Sequence, residues 1–310
     1  MIELLGYDFM QRALVAALFT GLAAPVIGTY LVQRRLSLMG DGIGHIAVTG
    51  VALGLLTGWS PTWTAVLVAA LGAMLLEVIR ERGHTSGDLA LALLFYGGLA
   101  GGVLITGLAG QSGARLQQYL FGSLTTISIA DVWFTMALAV VVIVLGLGLR
   151  PQLFAIAQDR DFAVVAGLRV QAYNMLVAVL AAVTVTIAMR TVGLLLVSAL
   201  MVVPVATSQQ VARSFRTTIL LAMGLGAAAG VAGLLISAEL SFHATVAPGP
   251  AIVLVSIAGF VLAWPTGAWL RRRERRRTPD DGAGDATGDG AGEKHVTPGA
   301  VPATGPGTTQ

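Results

Sequence analysis

Asp41 and His45 stand four residues apart in Gly40-Asp41-Gly42-Ile43-Gly44-His45, at the head of an apolar run. A carboxylate and an imidazole together suit divalent cations such as Zn2+ and Mn2+. In a helix this spacing stacks the two side chains on one face, so both can touch one ion. Two ligands per chain suit a passage better than a closed four-ligand cage, because conduction needs an exit as well as an entrance. A competing account makes Asp41 only the cap of the helix that follows. The glycines at 40, 42 and 44 weaken a helix and leave open an unwound or re-entrant segment whose carbonyls also serve the ion. Other histidines point less clearly to chemistry. Glu239 and His243 share the spacing but read as an exposed loop, His84 lies among charges, and His295 falls in a polar tail. There is no cysteine, hence no disulfide and no thiolate site.

The elements that must position this pair are membrane helices. Of 310 residues, 55% are hydrophobic and 11% charged, where soluble domains carry about 25% charge. Residues 271–310 hold seven of the 19 basic and six of the 16 acidic side chains, leaving 12 and 10 for the first 270 positions. A soluble core of that size lacks its charged coat. In such surroundings an ionisable residue is a functional candidate. The formal charge of +3 reflects basic residues at membrane boundaries, and no nucleic-acid partner follows from it. Glu3 and Asp8 precede the first apolar run without a basic n-region, so that run reads as a retained anchor.

Runs near the roughly 20 residues needed to cross a bilayer cover about 13–32, 61–76, 89–108, 132–149, 173–189, 192–211, 218–237 and 251–269. A shorter run at about 45–57 reads as a span or a re-entrant piece. The predicted fold is all-α: a polytopic transmembrane bundle of eight or nine spans over 1–270, then a basic boundary and a disordered tail over 271–310. Pro204 predicts a break or kink in the run it occupies. Arg271–Arg277 puts the C-terminal end in the cytoplasm, and counting back places Arg80, Arg82, Arg150, Arg160, Arg169, Arg213 and Arg216 on that side. After Thr278, Asp, Gly, Ala, Thr and Pro dominate, too polar to offset the entropy of ordering.

Between the runs at 132–149 and 173–189, within a loop of about 151–172, Asp159-Arg160-Asp161-Phe162-Ala163-Val164-Val165-Ala166-Gly167-Leu168 predicts a short amphipathic helix. Acids suit its N-terminal end and Gly167 its left-handed terminus. Phe162, Val165 and Ala166 share one face, which is either an ordinary interfacial surface or a plug for a groove on a cytosolic partner.

An acid, an alanine and a glycine in this spacing resemble the coupling loop of bacterial ABC-importer permeases. Residues 8–270 resemble the metal-ion ABC transporter permeases, the ABC-3 or zinc/manganese uptake family. The resembling segments are Gly40-Asp41, His45 and Gly50-Val51-Ala52; Tyr119-Leu120-Phe121-Gly122; Val192-Gly193-Leu194-Leu195-Leu196 with Pro204-Val205-Ala206-Thr207; and Gly249-Pro250-Ala251-Ile252-Val253-Leu254. Ala247-Pro248-Gly249 departs from the family's usual Pro-Ser-Gly.

The resemblance implies a permease subunit in the bacterial plasma membrane, with Zn2+, Mn2+ or Fe2+ as transported substrate and no permanently bound cofactor. It implies three partners: a second permease subunit, identical or related; an extracytoplasmic metal-binding protein; and a cytosolic P-loop ATPase. Asp159, Asp161, Phe162, Ala163 and Gly167 would meet the ATPase, and Asp41 and His45 would be transient metal ligands. The chain has no Gly-x-x-x-x-Gly-Lys-Ser/Thr motif, so ATP hydrolysis is expected in the partner and this chain is not an enzyme. A gradient-driven metal transporter would need more intramembrane carboxylates. A membrane enzyme would need a further acid, base or nucleophile at depth.

Overall fold

A computed structural model describes residues 6–82, 87–110, 120, 122, 127–191, 193–241 and 247–275. Among them, eleven helices and no strands occur. They are α1 (Asp8–Gln33), α2 (Met39–Thr57), α3 (Pro61–Glu81), α4 (Gly87–Leu108), α5 (Ile129–Gly148), α6 (Arg150–Gln158), α7 (Arg160–Val165), α8 (Val170–Thr191), α9 (Leu194–Val211), α10 (Phe215–Leu240) and α11 (Pro248–Arg275). The chain divides into a unit of Met1–Leu270 and a second of Arg271–Gln310. The expected disordered tail lies outside the described residues beyond 275.

Helix ends follow local chemistry. Pro61 opens α3, where its missing N–H costs nothing. A capping box opens α5: Ser128 Oγ accepts from the Asp131 N–H, and Asp131 Oδ2 accepts from the Ser128 N–H at 3.0 Å. The end of α1 is less usual. Leu36 N–H donates to Leu31 O at 2.8 Å and Arg35 N–H to Val32 O at 3.0 Å, a Schellman closure with Arg35 at φ 58. An L-residue there costs about 1 kcal/mol that glycine would not.

Among the described residues, eight helices are long and apolar enough to cross a membrane: α1, α2, α3, α4, α5, α8, α10 and α11. α9 is an apolar helix of 18 residues. The run at 45–57 is not short, since it belongs to a 19-residue helix beginning at Met39. The first two turns of α2 contain Gly40, Asp41, Gly42 and Gly44, residues that dilute the hydropathy yet let neighbouring helices pack closely. The expected break at Pro204 is also absent, since α9 runs through it. Leu196, Val197, Leu200, Met201 and Val205 are all buried, and such packing outweighs one lost backbone bond.

α1 packs against α5, α8, α9 and α10, while α2 packs against α3, α4, α8 and α9. These two helices are the most enclosed. Leu67, Leu71 and Leu75 form an outward stripe on α3, each more than half exposed, as a surface facing lipid must be. The C-terminal ends of α1 and α3 meet, and α7 meets the end of α3, so Arg34, Arg80 and Arg160 gather at one end of the bundle. By the positive-inside rule that end is cytoplasmic.

Candidate metal pathway and coupling helix

Helical geometry puts Asp41 and His45 one turn apart on α2. The helix starts two residues before Asp41, after Leu38, and has no side-chain cap. Asp41 is therefore not the cap residue, and the segment is neither unwound nor re-entrant. Its carboxylate lies in the first turn, where the helix dipole favours negative charge.

The neighbours of the pair come from distant parts of the chain. Ser198 Oγ on α9 lies 3.5 Å from Asp41 Oδ1, a long hydrogen bond in which the hydroxyl donates. The Phe95 ring on α4 stands edge-on to His45, with centroids 4.2 Å apart and planes at 65°. His45 is 6% exposed and its Nδ1 has no hydrogen-bond partner among the described residues. Burying an unpaired polar atom is unfavourable, and a basic nitrogen in that state is suited to a metal ion. Leu38, Asp41, Leu91, Ala92, Phe95 and Tyr96 line a cavity of about 230 Å3.

Gly98 fixes the spacing of α4 against this site. A Cβ there would fall 2.7 Å from Ile46 N and 2.8 Å from the His45 carbonyl carbon. The two backbones are in contact at the ligand, held also by Thr49 Oγ1 donating to Gly98 O at 2.5 Å. Ser198 and Phe95 escaped the sequence reading. Only the small-residue pair at 97–98 hinted at a close crossing.

Among the described residues, no three His, Cys, Asp or Glu side chains gather as a metal cluster. Asp41 and His45 thus supply a carboxylate and an imidazole, with the Ser198 hydroxyl adding a neutral oxygen beside them. Glu239 is exposed at the end of α10, while His243, His84 and His295 lie outside the described residues.

Residues 159–168 form α7 and its ends. Asp159 Oδ1 accepts from Phe162 N–H at 3.0 Å as the N-cap, and Gly167 takes φ 81 after the last turn. Phe162, Val164 and Val165 are 64%, 56% and 87% exposed. Asp159, Asp161, Ala166 and Gly167 are exposed as well. Ala163 is not part of that surface: it is fully buried against Ile156 of α6 and Val170 of α8. It seats the helix, and the apolar side chains beside it stand clear. Arg160 adds an ion pair to Glu81 of α3 at 3.9 Å.

Behind α7, Glu77 on α3 is 2% exposed and paired with Arg34 at 3.1 Å and Arg80 at 2.9 Å. Burial lowers the Arg34 pKa and Glu77 raises it, with the nearby Arg80 and Arg160 lowering it further.

Apolar crossing helices, an acid and an imidazole inside them, and an exposed apolar helix at the arginine-rich end define a membrane transport subunit. Residues 6–266 match the ABC 3 transport family, and the chain belongs to it: a metal ABC transporter permease, a multi-pass protein of the bacterial plasma membrane. It is 33% identical over 259 residues to the manganese import system permease protein ScaB of Streptococcus parasanguinis, covering 83% of this chain and 90% of that protein. It is 32% identical over 264 residues to the manganese transport system membrane protein MntC of Halalkalibacterium halodurans, covering 84% and 88%. The solved structure of PsaBC from Streptococcus pneumoniae in complex with Fab is similar at a TM-score of 0.78 and 30% identity, covering 88% of this chain and 98% of that one. A chain of this family is a transport subunit rather than an enzyme.

Proposed function

We propose that this chain forms the transmembrane pathway of an importer for Mn2+, with Asp41 and His45 as the ligands each ion meets in passing. The carrying observation is the buried imidazole with an unpartnered nitrogen, one helical turn from a carboxylate that borders a cavity. Carboxylate and hydroxyl oxygens beside a single imidazole, without thiolate, favour a harder cation over a soft one. The names of the manganese permeases it resembles point the same way. Zn2+ and Fe2+ remain the competing substrates.

The cavity beside Asp41 is bordered by α4, whose Leu93, Tyr96, Val103 and Leu104 are exposed. A second permease subunit against this face would complete the coordination shell. A cytosolic ATPase would seat Phe162, Val164 and Val165 in a groove, with Asp159, Asp161 and Gly167 shaping the helix that enters it. An extracytoplasmic binding protein would deliver the ion at the opposite end.

The test is transport by the purified permease in vesicles with its ATPase and binding protein. Mn2+ should enter only with ATP and should compete with Zn2+ on an equal-concentration basis. Failure to move any transition metal overturns the reading; preference for Zn2+ overturns only the choice of ion.

A further inference from the structure

A second polar site lies at the cytoplasmic end, apart from Asp41 and His45. A cavity of about 370 Å3 opens between the ends of α1 and α3 and the segment α6–α7–α8. Arg34, Arg35, Arg80 and Arg160 line it, against Glu77 and Glu81. Glu77 is engaged by two guanidiniums, and Glu81 meets Arg160 at 3.9 Å. Arg35 has no ion-pair partner among the described residues, and its left-handed backbone at φ 58 marks the turn that bears it. The lining carries two more positive charges than negative ones. The two like charges that lower the Arg34 pKa, Arg80 and Arg160, show the same crowding. That excess of positive charge disfavours a dication and favours an anion.

We propose that this cavity binds a phosphate group, supplied by the headgroup of an anionic phospholipid in the cytoplasmic leaflet. Guanidinium forks match phosphate oxygens two at a time. Basic pockets between transmembrane helices on the cytoplasmic side are suited to anionic headgroups. The cavity meets that description: α1 and α3 end at it, and apolar Ile156 and Val170 share its wall with the arginines. A phosphate held by Arg35 and Arg160 joins the turn leading into the helix of Asp41 to the helix exposed for the ATPase. Free inorganic phosphate offers the same chemistry without the acyl chains.

The experiment uses the full-length permease purified in complex with its ATPase. Its thermal unfolding midpoint is measured with short-chain phosphatidylglycerol, short-chain phosphatidylcholine or inorganic phosphate. Phosphatidylglycerol should raise the midpoint by several degrees, as any ligand of the native state does, and phosphatidylcholine should not. The double variant Arg35→Gln, Arg160→Gln should lose at least half of that shift while keeping its lipid-free midpoint. An equal shift with inorganic phosphate supports the phosphate site and assigns it to the free ion. Arg35→Gly provides a second route, since glycine accepts the left-handed backbone: it should lose part of the shift without losing stability. An equal response to phosphatidylcholine, no response to either phosphate source, or a full shift in the variants overturns the proposal.

Discussion

Asp41 and Glu77 are both carboxylates on helices that cross the membrane, yet their surroundings differ. Glu77 is closed off with Arg34 and Arg80 within 3.1 Å. Asp41 has one long hydrogen bond from Ser198 and borders a cavity, beside an imidazole whose Nδ1 is unpartnered. The difference separates two uses of charge in lipid. A charge that holds helices together must be satisfied within the protein, because its desolvation is otherwise too costly. A charge that meets a passing ion must keep coordination capacity in reserve.

The strongest contrast should appear in transport. Asp41→Ala or His45→Ala should reduce radiolabelled Mn2+ uptake to background, with the protein still present in the membrane by immunoblot. Normal uptake in both variants would remove the proposed site. Glu77→Gln should act on stability instead, lowering it by about 3 kcal/mol because two guanidiniums lose their shared partner. Denaturation of the purified protein measures this, and a change below about 1 kcal/mol would place the network with weak surface pairs.

Gly98→Val joins the two regions of effect. Overpacking against the backbone at His45 should cost about 1–3 kcal/mol and depress uptake. Gly101→Ala, whose Cβ would meet Thr49 at an ordinary 3.4 Å, should leave both unchanged, and equal behaviour of the two variants would discount the close crossing. On α7, Phe162→Ala should weaken ATPase co-purification about tenfold, equivalent to about 1.4 kcal/mol, without altering thermal stability. Ala163→Leu should lower stability first, since that position is fully buried. The smallest effect is expected from truncation after Arg277, which should leave uptake intact.

Much of this could be read from spacing. The four-residue interval of Asp41 and His45 becomes shared placement on a helix once α2 forms, and Asp159 with Gly167 announced both ends of α7. The failures have a common cause. Local hydropathy made the run after His45 look short and Pro204 look disruptive, but glycines that weaken a lone helix let α2 pack closely against its neighbours. Packing likewise carries α9 through its proline. Ala163 was grouped with the exposed residues of its loop because six residues of pattern do not reveal which side rests on α6 and α8.

Composition determined the solvent of this chain, since so few charges over 270 residues cannot clothe a water-facing surface, and helical repeat determined that an acid and an imidazole would share a face. The folded arrangement alone decided which charges are neutralised and which stay available. Ser198 reaches Asp41 across 157 positions and Arg34 reaches Glu77 across 43, contacts that exist only where separate helices cross.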